Sequence, residues 1–257
     1  MKKLILALCF IPLGGTLFGQ ADSIKINSSP STDSTEVKIE KEFNINLSLG
    51  KKNVKTRFIL LDLGVNAYHN EGNPNLPVSL KTFELRPARS IEVNLHVYRQ
   101  RFKIGKGHFN IEHGLSFDFN HYSFQNKVSY RTDSMEAFYI NPTANIEKSR
   151  LFVSKMSLPL MLHFETNPQK LSRSFHFGIG GYAAVRLGSN LLMRGSNKYK
   201  EKIGDNFGLN DFLVGLRAEM GFGPVNLYAA YSLMNMFKNG QGPNLTPFSV
   251  GFTVIPF

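Results

Sequence analysis

The stretch "DFLVGLRAEMGF" (residues 211–222) decides what kind of fold this chain adopts. Phe212, Val214, Leu216, Ala218, Met220 and Phe222 share one face, and Gly215, Arg217, Glu219 and Gly221 share the other. A period of two is that of a β-strand. A strand face turned to water normally carries Lys, Thr, Glu and Ser. This one carries glycine, which marks crowding or sharp curvature in a strand, together with charges of both signs.

The same alternation recurs along the chain. In "RFILLDLGVNAY" (57–68) Ile59, Leu61, Leu63, Val65 and Ala67 oppose Asp62, Gly64 and Asn66. In "SIEVNLHVY" (90–98) Ile91, Val93, Leu95 and Val97 oppose Glu92, Asn94 and His96. "HFNIEHGLSFDFN" (108–120) sets Phe109, Ile111, Leu115, Phe117 and Phe119 against Glu112, Gly114 and Asp118, with His113 interrupting the apolar row. "LFVSKMSLPLMLHFE" (151–165) and "SFHFGIGGYAAVRLG" (174–188) repeat it, with Lys155, His163 and Glu165, then His176, Gly178, Gly180 and Arg186, on their polar faces. "VNLYAAYS" (225–232) and "PFSVGFTV" (247–254) bring the number of strands to eight.

The connections alternate between short and long, so the long ones gather at one end, as in a transmembrane β-barrel with short periplasmic turns and long external loops. A soluble lipocalin-like barrel shows the same alternation with the faces reversed, and it remains the alternative at this point. The polar rows favour the membrane form. An eight-stranded barrel is only just wide enough for side chains to fill, and small residues with paired charges suit that space. A charge on the other face would cost roughly 2–4 kcal/mol at mid-bilayer, which explains why those rows hold so few. The expected fold is therefore all-β, an antiparallel up-and-down transmembrane barrel over residues 54–257. Its expected lumen charge network is Asp62, Glu92, Glu112, Asp118, Lys155, Arg186, Arg217 and Glu219.

The chain of 257 residues is 42% hydrophobic with a formal charge of +11, enough to attract polyanions without naming one. Its start, "MKKLILALCFIPLGGTLFGQ", has the basic, apolar and small-residue regions of a secretory signal peptide, expected to end near Gly19. Removing it takes the only cysteine, Cys9, so the exported chain must be stable without disulfides. No later run approaches the ~18 apolar residues of a membrane helix. Residues 20–53 read as a polar linker and a periplasmic β-arm, with the alternating segment 42–49 as a candidate extra strand.

"LDLGVNAY" (61–68), "SLPLMLHFE" (157–165), "HFGIGGYAAVRLGS" (176–189) and "NLYAAYSLMNMFKNGQGPNLTPFSVGFTV" (226–254) resemble the PorT-like outer-membrane β-barrel family of Bacteroidetes. The resemblance covers roughly 57–257 and implies a barrel in the outer membrane. One member is implicated in gliding and type IX secretion, but the motifs identify the barrel and not an activity. Phe257 resembles the terminal residue read by the barrel insertion machinery, although its parity differs from the row of Phe248, Phe252 and Val254.

The expected role is non-enzymatic: structural, assembly or narrow passage. A rim-active lipid enzyme is the other alternative, with His69 and His121 near Glu71, Asp118 and Asp133 as its candidate groups. No serine stands in a nucleophile context, and no spacing suggests a metal or cofactor. The basic loop Arg194, Lys198, Lys200 and Lys202 is a candidate contact for lipopolysaccharide phosphates, with plain solvation as its ordinary role. Basic residues spread over loops give nucleic acid no continuous stripe to follow.

Overall fold

A computed structural model describes residues 54–105, 107–131, 138–141, 146–167, 174–196, 200–223 and 225–254. The signal peptide, the 20–53 arm with its 42–49 segment, Asp133, Lys198 and Phe257 lie outside the described residues.

The strands are β1 (Val54–Asn70), β2 (Ile91–Ile104), β3 (Phe109–Ser123), β4 (Val128–Tyr130), β5 (Phe138–Ile140), β6 (Lys148–Glu165), β7 (Phe175–Arg194), β8 (Lys200–Gly204), β9 (Phe212–Phe222), β10 (Val225–Ser232) and β11 (Leu245–Val254). Eight of them form one antiparallel ring in the order β1-β2-β3-β6-β7-β9-β10-β11, and β11 closes it on β1. β8 extends β7 beyond the ring, and β4 and β5 form a separate hairpin. The long connections, 71–90, 124–147, 195–211 and 233–244, all leave the same end, which is external by the loop-length rule.

The ring is inside out by the standard of a water-soluble protein. Leu160 is 61% exposed, Phe222 60% and Leu227 53%, whereas Asp62 is 0% exposed, Glu219 2% and Arg99 5%. Apolar side chains on the outside of a closed sheet need an apolar solvent, and closure leaves no unpaired edge in it. The lipocalin-like alternative requires the opposite facing and is excluded.

Two irregularities shape the bore. Between β1 and β2 the register runs unchanged from Phe58↔Tyr98 to Leu60↔His96, but the facing residues Ile59 and Val97 are unpaired, and Ile59 has φ +56°. Between β2 and β3 the register shifts between His96 and Tyr98, a bulge in β2. On both strands the parity that faces inward reverses at this level. Asp62 and His96 are therefore inside above it, and Arg57, Arg99 and Arg101 are inside below it.

The external end has a conventional core. Tyr68, Phe83, Tyr122, Phe124, Val128, Leu151, Leu191, Met193, Phe207, Leu209, Phe237 and Leu245 are buried against one another, with Leu80, Tyr130, Phe138 and Ile203 packed alongside. The strand ends above the bore carry apolar residues on their inner face, and the long connections fold onto them as a cap.

Candidate functional site

The lumen is filled by ion pairs that run across the bore. Arg217 on β9 donates from Nη2 to Asp62 Oδ2 at 2.7 Å and from Nε to Glu219 Oε1 at 2.7 Å. His96 Nε2 meets the same Asp62 oxygen at 2.8 Å. Arg99 on β2 spans the bore to Glu219 Oε1 at 2.8 Å and pairs with Glu112 on the adjacent strand. Arg101 binds Glu112 Oε2 from Nε at 2.8 Å and pairs with Glu165. Four carboxylates thus face three guanidiniums, and Arg57 lines the same space. A charge in such a place is tolerable only when paired, and each of these four carboxylates and three guanidiniums has a partner of opposite sign.

Glycine and tyrosine make room for the network. A Cβ on Gly64 would stand 2.4 Å from the Tyr228 hydroxyl, and one on Gly251 would stand 2.3 Å from the Leu63 carbonyl. Gly64 and Gly251 face each other across the β1–β11 seam, and Tyr228 lies over that pair. From there its hydroxyl donates to Glu92 at 2.9 Å, while its ring carries the Arg217 guanidinium 4.3 Å from the centroid.

Asp62, Glu112, Arg217 and Glu219, expected together, form one continuous network. Asp118, Lys155 and Glu92 line an adjoining polar cavity of about 40 Å³, which His96 and Arg217 of the network also border. There Asp118 accepts hydrogen bonds from Ser116 and Ser157, and it is paired in register with Lys155. A cavity of this size holds about two or three waters. Arg186 does not belong to the lumen network. It sits at the external rim, where it pairs with Asp211 and reaches Asn206 and the Ser189 hydroxyl.

The basic residues expected in one loop stand largely on strands. Arg194 is the last residue of β7, and Lys200 and Lys202 lie on β8, so these cations stand on a sheet face. Arg57, Arg99 and Arg101 were missed as lumen residues. The signal was present in "RQRFK" (99–103), which alternates cations with other residues, but its parity is opposite to that of Glu92, Asn94 and His96.

Glu112, His163 and Glu219 bring ligand-type atoms within 4.8 Å of one another. His163 Nε2 is 3.4 Å from Glu112 Oε1 and 4.0 Å from Glu219 Oε2. The Arg99 guanidinium already bridges both carboxylates, so a divalent cation placed there would be pressed against a fixed positive charge. The cluster fits an ion-pair junction and does not fit a cation cradle.

At the rim, His69 uses both ring nitrogens locally, one 3.0 Å from the Tyr231 hydroxyl and the other accepting from the Gly72 N–H at 2.9 Å. His121 packs on Phe152. Of the carboxylates expected near these histidines, Asp118 is turned into the lumen and is not at the rim. Within the cap, Tyr130 donates to Asp205 at 2.7 Å, and burial together with that carboxylate pushes its phenol up to about 12.

A family model described as outer membrane protein beta-barrel domain matches residues 19–238. Among solved structures, the chain is similar to Neisserial surface protein A at 8% identity and TM-score 0.34, covering 78% of this chain and 98% of that one. It is similar to Ail, the attachment invasion locus protein of Yersinia pestis, at 10% identity and TM-score 0.31, covering 79% and 99%. No curated protein matches the sequence.

Proposed function

We propose, from the premise that the chain belongs to the outer membrane protein beta-barrel domain family and lies in the bacterial outer membrane, that it is a sealed, non-enzymatic scaffold carrying a folded external cap. Within that family we read it as a PorT-like barrel of Bacteroidetes, on the strand and loop patterns quoted above. The observation that carries the sealed reading is Arg99, which crosses the bore from β2 to Glu219 on β9 while pairing with Glu112 on β3. A continuous water path at that level requires breaking ion pairs whose members are almost wholly removed from solvent. The apolar cap is a second obstruction above it. Of the roles open to such a barrel, structural support and assembly fit this filling better than passage.

The histidines at the rim support the non-enzymatic reading, because His69 is committed to Tyr231 and Gly72 and has no carboxylate among its hydrogen-bond partners in the described residues. Reconstitution in planar bilayers tests the proposal. The native protein is expected to give no steady current above the lipid background, and a double variant with Arg99→Ala and Glu112→Ala is expected to flicker open. A stable open level from the native protein would assign a passage role instead.

A further inference from the structure

The extension of β6, β7 and β8 beyond the ring has two unlike faces. Ser149↔Met193 and Leu151↔Leu191↔Ile203 point into the cap. On the other face Lys148 is paired with Arg194 and Arg194 with Lys200, while Arg150 and Lys202 flank Leu192. Like charges directly opposite one another in a sheet repel, so this face stores repulsion that a bound anion would relieve. A groove of about 320 Å³ runs over it, lined by Arg89, Lys148, Arg150 and Arg194 with Ile91 and Leu192 between them. None of these four cations has a salt bridge among the described residues, and no carboxylate among them lines the groove.

We infer that this groove binds the phosphate groups of an outer-leaflet lipid. Guanidinium and ammonium groups converging on one space suit a phosphate, for which Arg offers two parallel donors and Lys a point charge. The place selects a lipid over a free ion. Below Arg150 the outward row of β6 continues through Phe152, Met156, Leu158, Leu160 and Leu162, the surface that meets hydrocarbon. Phe152 stacks on Phe119 and packs against His121, an aromatic girdle at the level of headgroups. A headgroup phosphate among the cations leaves its acyl chains against that row, an arrangement free phosphate cannot use. The site does not depend on whether the lumen conducts.

The test uses the folded full-length protein in phosphatidylcholine nanodiscs containing a small fraction of bisphosphorylated lipid A, or of its dephosphorylated form, with retained lipid read by native mass spectrometry. Selective retention of the phosphorylated form is expected. It should fall roughly tenfold or more in the variant R89Q/K148Q/R150Q/R194Q, because losing charge-assisted hydrogen bonds weakens binding at least that far. Heat-modifiable gel mobility checks that the variant is folded. If it is not, the pairs R89Q/R150Q and K148Q/R194Q replace it, with Lys81→Gln as a basic-residue control. Equal retention of the two lipid forms, or undiminished retention by the variants, overturns the site. Full displacement of the lipid by inorganic phosphate overturns the assignment to a lipid.

Discussion

The bore and the cap close the same barrel by opposite means. Inside the ring, Asp62, Arg99, Glu112, Arg217 and Glu219 fill the space with paired charge; above it, Phe83, Phe124, Phe138, Phe207 and Phe237 fill it with rings. The surroundings explain the difference. The ring spends its apolar residues on the outer face, so its inner face takes whatever polar groups can satisfy one another. The cap stands in water and buries apolar surface in the ordinary way. One region is held by pairing that is specific residue by residue, the other by packing that spreads over many contacts. They should therefore fail differently.

The largest effect is expected in the bore. Arg217→Met leaves Asp62 and Glu219, both almost wholly removed from solvent, each short of a partner, and removing one member of a buried pair typically costs about 3–5 kcal/mol. Urea unfolding in micelles should show a large fall in midpoint. Removing both ends of one link, as in Asp62→Asn with Arg217→Met, should cost less than Arg217→Met alone, because less charge is stranded. A double variant less stable than the single one would mean that the network is not what holds the bore.

The cap should lose stability locally. Phe83 meets Phe124, Phe138 and Phe237 with ring centroids 5.5 to 6.3 Å apart, and its carbonyl accepts the Tyr68 hydroxyl from the barrel wall. Phe83→Ala is expected to cost about 3 kcal/mol of cap stability. Because the cap rests on connections outside the ring, that loss should appear as faster proteolysis within 71–90 and 124–147 while heat-modifiable mobility is retained. If the ring unfolds together with the cap, the two regions are one cooperative unit and the contrast drawn above fails.

The two regions were also unequally legible in the sequence. Alternation revealed the ring because a strand between two unlike media repeats every two residues, and Arg217 with Glu219 could be placed inside from their own strand. Arg99 and Arg101 could not. The paired irregularities at Ile59 and beside Tyr98 reverse the parity, and a β-branched residue at φ +56° announces nothing in the sequence. The cap was less visible still. Phe83, Phe124, Phe207, Leu209 and Phe237 lie in connections with no regular period, and they meet the apolar strand ends only because the ring brings four distant connections to one end. Arg186 illustrates the limit: it shares the parity of the lumen row of β7 yet lies high enough on the strand to turn to Asp211.

That rim contact is where the smallest effect is expected. Asp211 accepts from Arg186 and, at 2.6 Å, from Lys238, and these hydrogen bonds hold its carboxyl below the usual carboxylate range. A carboxyl whose folded value is depressed contributes fully above its unfolded value, near 3.9, and loses that contribution as pH falls through the folded value. Asp211 is half exposed, so solvent screening keeps the ties to within about 1 kcal/mol. Asp211→Asn should leave ring stability unchanged at neutral pH and raise slightly the hydrogen exchange of 205–211 and 233–238, the connections that Arg186 and Lys238 draw together through it. Below about pH 4 the native protein should approach the variant, since protonation removes the same charge. Equal exchange in the two proteins across that range would mean that backbone bonds such as Asn210 N–H to the Met236 carbonyl at 2.9 Å hold this edge of the cap without help from the ion pair.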